Sequence, residues 1–253
     1  CNRYLKFDRL YRRAKELGCE YVVTGHYARI EEESGRFLLK KAVDPTKDQS
    51  YVLYSMTQDE LRHTLFPLGG MTKTHTREVA RRLGFYNADK PDSQDICFVP
   101  DGDYASFIRS FTGRDYPRGE FVDKSGNVLG EHRGLIGYTV GQRKGLGIAL
   151  GEPKYVTALL PDENRVVLGS NEDLMSRELD AKNFNFIAFD TSPAEFRASA
   201  RVRYRQAEQP ATVRVTGENT VHITFDEPQR AITKGQAVVV YDGDVVIGGG
   251  EIC

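Results

Sequence analysis

FDRLYRRAKELGCEYVVTGH, residues 7–26, carries the first decision about the fold. Phe7, Leu10, Tyr11, Ala14 and Leu17 recur at helical spacing with Arg12, Arg13, Lys15 and Glu16 between them, and Gly18 follows where a helix closes. The spacing predicts an amphipathic helix. The run Tyr21-Val22-Val23-Thr24 then breaks at Gly25-His26, which predicts a buried strand ending in a turn after an α/β crossover, the place where ligands collect. Further on, Thr57-Gln58-Asp59-Glu60 has capping-box spacing ahead of Leu61, and Thr74 to Leu83, closed by Gly84, predicts another helix. Residues 1 to about 90 therefore read as α/β.

From Gly119 the texture changes to short alternating segments punctuated by Gly, as in Glu120-Phe121-Val122, Ser125-Gly126, and Tyr155 to Leu160 before Pro161-Asp162-Glu163-Asn164. A polar stretch around Ser170 to Asn183 separates this β-rich section from strands at Phe196 to Tyr204, Ala211 to Val215, Val221 to Phe225, Ala237 to Tyr241 and Val245 to Ile247. Five or six strands in so short a span predict a small barrel.

The 253 residues are 40% hydrophobic, which excludes disorder, and 35 Lys+Arg against 36 Asp+Glu give a net charge of −1, so any nucleic-acid surface must be a local patch. No apolar run approaches the roughly 20 residues that span a bilayer, and CNRYLKFDRL lacks the regions of a signal peptide. The chain reads as cytoplasmic. It begins with Cys and runs straight into helical periodicity, as expected of a fragment.

The four cysteines, Cys1, Cys19, Cys97 and Cys253, form no zinc spacing and are too sparse for a disulfide scaffold. Cys97, within Asp92-Ser93-Gln94-Asp95-Ile96-Cys97-Phe98-Val99-Pro100, is open to two readings: a small core residue, or a reactive thiol that needs nearby donors, against which adjacent Asp95 works. Cys1, with Lys6 downstream, lies near the start of the first helix, where the macrodipole lowers a thiol pKa. Phe196 to Arg205 alternates strictly, placing Arg197, Arg201, Arg203 and Arg205 on one strand face, a cationic stripe suited to phosphates. Gly137 to Gly147 combines four glycines with Arg143, Lys144 and Tyr138, which suits either close approach to a polyanion with Tyr138 stacking or a plain turn system. The sequence has no Walker loop, dinucleotide fingerprint, HExxH or GxSxG, and His26, His63, His75, His132 and His222 lack metal-ligand spacing and read as surface or capping residues, so no metal is expected.

Taken together, Cys1-Asn2 with Leu5-Lys6-Phe7, Thr24-Gly25-His26-Tyr27-Ala28-Arg29, Lys47-Asp48-Gln49-Ser50-Tyr51, Asp92 to Phe98, Tyr138 to Gly147, Arg203-Tyr204-Arg205-Gln206 and Gly235-Gln236 resemble, in order and along the whole chain, the bacterial tRNA-specific 2-thiouridylases. The resemblance implies an α/β + β fold: the C-terminal part of a PP-loop (adenine nucleotide alpha hydrolase-like) α/β domain over 1–103, a small mostly-β central domain over 104–172 and a C-terminal β-barrel over 176–253. It implies an ATP-dependent sulfurtransferase, with Mg2+ accompanying ATP, that replaces O2 of the wobble uridine (position 34) of tRNA with sulfur. By that resemblance the base would be adenylated, a persulfide on Cys97 would deliver sulfur to C2, and AMP would leave. Cys1 would be the nucleophile completing release, able to form a disulfide with Cys97.

By the same resemblance Gly25 would contact the nucleotide, and His26, Lys47, Asp48, Gln49, Arg203, Tyr204 and Gln236 would touch tRNA at the anticodon stem-loop. Partners would be tRNA and a sulfur donor, a cysteine desulfurase or sulfur-relay carrier, and no membrane. The SGGxDSS phosphate loop, and the Asp expected just ahead of the first cysteine, are absent from these 253 residues. The fragment is therefore expected to hold no bound metal or organic cofactor and to be inactive alone. A non-catalytic RNA-binding module is the alternative, and a thiol redox enzyme or cysteine hydrolase is a third reading that would need a histidine paired with Cys97.

Overall fold

The computed structural model describes residues 2–90, 99 and 102–253. They form two compact units, residues 2–90 with 177–227 and 233–253, and residues 99 and 102–176 with 228–232.

The first unit opens on a wide π-type helical stretch, Asn2–Leu10, that runs into α1 (Tyr11–Glu16). Phe7 and Tyr11, one turn apart, are its buried residues, while Leu5, Leu10 and Leu17 stay exposed, so the buried stripe is narrower than the periodicity predicts. Gly18 closes the helix at φ +71°, a conformation that costs glycine nothing. Then come β1 (Val22–Val23), the hairpin β2 (Ala28–Glu33) and β3 (Arg36–Lys41), α2 (Gln58–Arg62), β4 (Thr64–Leu65) and α3 (Lys73–Arg82). β1 lies parallel to β4. Val22 is buried and Val23 exposed, so the expected buried strand is a two-residue ladder with one face open. The capping box on α2 is present: Glu60 N–H donates to Thr57 Oγ1 (3.3 Å) and Thr57 N–H to Glu60 Oε2 (2.7 Å).

In the second unit α4 (Tyr104–Thr112) precedes β5 (Gly119–Val122), β6 (Val128–His132), β7 (Tyr155–Leu160) and β8 (Arg165–Gly169), which form one sheet in the order β6-β5-β8-β7. Only β5–β8 is parallel. Phe121, Tyr138, Leu146, Val156, Val166 and Leu168 make its core. Tyr138 is buried edge-on to Phe121 (5.2 Å) and His132 (5.6 Å), so its ring is spent on packing and not offered to a base, which corrects the stacking expectation.

The remaining strands are β9 (Met175–Phe186), β10 (Glu195–Arg201), β11 (Gln209–Gly217), β12 (Thr220–Arg230), β13 (Ala237–Asp242) and β14 (Val245–Ile252). They run β13-β10-β11-β12-β9-β14 and close through β13–β14, which removes the open edges. β9 occupies much of the stretch expected to be a polar separator; its buried residues, Leu179, Ala181 and Phe184, are diluted by charged neighbours facing out. Val245 also pairs with Lys40, so the β2–β3 hairpin joins the barrel sheet. One core spans both: Phe7, Leu39, Tyr51, Leu53, Met56, Leu61 and Phe66 pack with Ile187, Val239, Tyr241 and Val246. The α/β remnant and the barrel are thus a single folded body.

Candidate functional site

The last ladder bond of β1 is Thr24 N–H to Leu65 O (3.1 Å), after which the chain turns at exposed Gly25. A Cβ on Gly25 would lie 3.6 Å from Leu68 Cδ1, an ordinary contact, and its φ is not left-handed. Neither packing nor backbone conformation demands glycine here, and bare backbone at a strand's end suits close approach of a ligand.

His26 turns inward, 6% exposed, with ring centroids 5.8 Å from Phe7 and 5.6 Å from Phe66. Its Nδ1 lies 2.7 Å from Thr24 Oγ1 and its Nε2 3.5 Å from Lys6 Nζ. Burial, assisted by the Lys6 charge, lowers its pKa from 6.5 to about 4, so the ring is neutral at pH 7. Lys6 can only donate, which assigns the lone pair to Nε2 and the proton to Nδ1, donated to Thr24 Oγ1. His132 is buried as well, its Nδ1 accepting from Gly134 N–H (3.0 Å). Two of the five histidines therefore depart from the expected surface role, because each has a local hydrogen-bond partner within two residues that satisfies a ring nitrogen inside the protein.

The loop Lys47–Gln49 is tied directly to this turn. Gln49 N–H donates to Tyr27 O (2.8 Å) and Tyr27 N–H to Gln49 Oε1 (3.0 Å). The Asp48 carboxylate, 7% exposed, accepts from Ala42 N–H (3.0 Å), Ser50 N–H (3.2 Å), Ser50 Oγ (2.8 Å) and Arg201 Nη2 (3.2 Å). Its charge is consumed inside the protein, and what the loop turns outward at this residue is not the carboxylate.

The arginine stripe is corrected. β10 ends at Arg201, so Arg203 and Arg205 lie beyond it in the following turn. Arg197 is paired bidentately with Asp226 (2.8 and 2.6 Å), and Arg201 is packed inward. Arg203 Nη2 donates to Thr233 Oγ1 (3.3 Å), and Gln236 N–H donates to Thr233 O (3.2 Å), which brings Arg203 to the turn that carries Gln236. Tyr204, 41% exposed, donates its OH to Asp48 O (3.1 Å).

A continuous chain of hydrogen bonds thus runs from Gly25-His26-Tyr27 to Gln49-Asp48, on to Tyr204-Arg203 and to the Thr233–Gln236 turn. Segments separated by up to about 200 residues form one region. Cys1 and Cys97 lie outside the described residues; the neighbour of Cys1, Asn2, donates from Nδ2 to Val52 O (3.2 Å), beside the same loop. Cys19 and Cys253 are exposed free thiols. Among the described residues no group of three His, Cys, Asp or Glu could hold a metal, and no helix is long and apolar enough to cross a membrane. The residue that sequence reasoning missed in its true role is Arg201. Alternation assigns it to the outer barrel face, and nothing local shows that residues 48–51 cover that face.

Residues 1–101 match a family model described as the tRNA methyl transferase HUP domain, 105–170 the tRNA methyl transferase PRC-barrel domain, and 176–252 the aminomethyltransferase beta-barrel domain. Over its whole length the chain is 52% identical to the tRNA-specific 2-thiouridylase MnmA of Clostridioides difficile, covering 70% of that protein. It is 51% identical to the protein of the same name from Carboxydothermus hydrogenoformans, again covering 70%, and 48% identical to that of Clostridium acetobutylicum, covering 71%. The chain belongs to the tRNA-specific 2-thiouridylase family. The fold agrees with that placement: part of a HUP α/β domain, a PRC-barrel-like middle domain and a closed C-terminal β-barrel.

Proposed function

We propose that this chain serves ATP-dependent 2-thiolation of uridine 34 in tRNA. The observation that carries the reading is the hydrogen-bonded continuity of the Gly25-His26, Lys47–Gln49, Arg203-Tyr204 and Gln236 segments. A wobble base must leave the anticodon stack to react, so its stem-loop has to be gripped from several sides while one base enters a pocket. These segments would supply that grip, with Gly25 at the nucleotide and Lys47, Arg203, Tyr204 and Gln236 toward RNA. His26, neutral and fixed, would act through the turn that it anchors.

In this reading Cys97 receives sulfur from a cysteine desulfurase or sulfur-relay carrier in the cytoplasm and holds it as a persulfide. Its terminal sulfur attacks C2 of the O2-adenylated base, a C–S bond forms, and the C2–O bond breaks with AMP leaving. The Cys1 thiolate then attacks the Cys97 sulfur: the S–S bond to the base breaks, its electron pair stays with the thiocarbonyl sulfur, and a Cys1–Cys97 disulfide is left for an external thiol to reduce. The 253 residues contain no SGGxDSS loop, so the proposal assigns them RNA binding and sulfur carriage, with thiolation expected only when that loop is supplied.

The test is mass spectrometry of tRNA digests and of the protein, after incubation with a cysteine desulfurase, cysteine, Mg-ATP and unmodified tRNA. Two forms are compared, the 253-residue chain and the chain extended at its N-terminus with the corresponding segment of the Clostridioides difficile relative. Sulfur on Cys97 and 2-thiouridine with the extended form, both lost in Cys97→Ser, support the reading. RNA binding without any sulfur on Cys97 overturns it in favour of a non-catalytic RNA-binding module.

A further inference from the structure

The Arg201–Asp48 pair joins residues 153 positions apart and is shut away from water on both sides, the two side chains being 12% and 7% exposed. Burying such a pair costs both groups their hydration, and a well-packed apolar pair would serve stability as well or better. What an apolar pair cannot supply is direction. The guanidinium is a rigid planar fork, here fixed three ways: Nε and Nη2 donate to Tyr241 OH (3.1 and 2.7 Å), its carbon lies 5.2 and 5.0 Å from the Tyr51 and Tyr241 ring centroids, and Nη2 reaches the Asp48 carboxylate.

Tyr241 belongs to barrel strand β13 and is fully buried, whereas Asp48 is the hub of its own loop through Ala42 and Ser50. Arg201 is therefore the joint between the barrel wall and the Lys47–Gln49 loop. It is also the last residue of β10, two and three positions before Arg203 and Tyr204, and Tyr204 returns to the same loop through Asp48 O.

We propose that Arg201 is a positioning residue for tRNA: held behind the surface, it sets the Lys47–Gln49 loop and the Arg203-Tyr204 turn in one fixed register, so that both meet the RNA without paying to be ordered on binding. The proposal rests on the tRNA reading above. Arg201 itself is assigned no phosphate contact, because its Nε and Nη2 donors are engaged by Tyr241 and Asp48.

The experiment measures binding of a labelled anticodon stem-loop RNA bearing U34 to the 253-residue chain by fluorescence anisotropy across a salt series, for wild type, Arg201→Lys and Asp48→Asn. A direct phosphate contact reveals itself when its loss lowers the slope of log K against log[salt] by about one. Arg201→Lys keeps the charge and loses the fork; it should bind about tenfold more weakly with the wild-type slope. Asp48→Asn removes a negative charge, which by charge alone would strengthen RNA binding. Here it should weaken binding to a similar degree, and the double variant should be no worse than either single one. Should Arg201→Lys fail to fold, Asp48→Asn carries the test alone, since an amide retains an acceptor for Ala42 and Ser50. Wild-type affinity in a folded variant, tighter binding in Asp48→Asn, or a slope lowered by about one in Arg201→Lys each overturns the proposal. Absence of RNA binding by the wild-type chain is a different result: it overturns the tRNA reading and this inference with it.

Discussion

Lys6 Nζ stands 3.5 Å from Nε2 of His26, whose other nitrogen lies 2.7 Å from Thr24 Oγ1. A cation in the first helical stretch thus faces a buried imidazole that must remain unprotonated to receive it. The folded pKa of His26, about 4, lies below its ordinary 6.5. Between those values the unfolded chain binds a proton that the folded chain refuses, so stability rises with pH across the window. The contribution is complete above pH 6.5 and lost as pH falls to 4, on the order of 3 kcal/mol in all. Urea unfolding at pH 7 and pH 4.5 measures it. His26→Gln should lower stability at pH 7 and lose distinctly less than wild type on acidification; parallel pH dependences would sink this account of the ring.

That histidine marks the boundary of what the sequence makes legible. Gly18, Gly84 and the Thr57–Glu60 box announce helix ends because a cap is a local event, completed within four residues. The apolar runs Ala237 to Tyr241 and Val245 to Ile247 are legible for the same reason: a short β-branched run bounded by a turn needs no partner to be seen. Burial of His26 and Arg201 is decided by residues 40 and 153 positions away, Phe66 and Asp48, and no local pattern reports them. Alternation over 196–205 did locate the arginines but overran the strand, since Arg203 bonds Thr233 across a turn instead of continuing the ladder. The resemblance to the family names Gly25-His26, Lys47–Gln49, Arg203-Tyr204 and Gln236 one by one; that hydrogen bonds join them is visible only in the fold.

Gly69 and Gly70 are adjacent and should behave oppositely. A methyl on Gly69 would overlap the Ala28 carbonyl oxygen, backbone that cannot swing aside, two residues from His26; Gly70 has open space and no left-handed φ. Gly69→Ala should destabilise by about 3 kcal/mol, at the upper end for overpacking. Gly70→Ala should be neutral or stabilise by a few tenths, through the unfolded chain's reduced freedom. Thermal unfolding of both decides the matter, and equal effects would contradict the close passage of the two backbones at Ala28.

Thr57→Ala removes the acceptor of Glu60 N–H and leaves Glu60 without the reciprocal half of its box. The cost should be about 1 kcal/mol, typical of an N-cap, since Gln58 bonded to Phe37 and Asp59 bonded to Tyr11 keep the turn docked when the cap is lost. Thr57→Ser, which keeps the oxygen, should recover most of it in a denaturant midpoint comparison. Equal losses in the two variants would assign the role of Thr57 to its methyl group.

Arg197 supplies the contrast to Arg201 on the same strand. Its guanidinium is exposed and clasped by Asp226, which neutralises it locally and leaves little net charge for a phosphate. Arg197→Ala should therefore leave the thermal midpoint within about 2 °C of wild type and the salt slope of RNA binding unchanged. Asp226→Asn frees the Arg197 charge. If the β11–β12 side of the barrel lies near bound RNA, that variant should bind more tightly and with a slope steeper by about one, and if it lies away, neither should move. A flattened slope in Arg197→Ala would mean that the Asp226 clasp opens on binding, returning Arg197 to the phosphate surface that the strand alternation assigned to it.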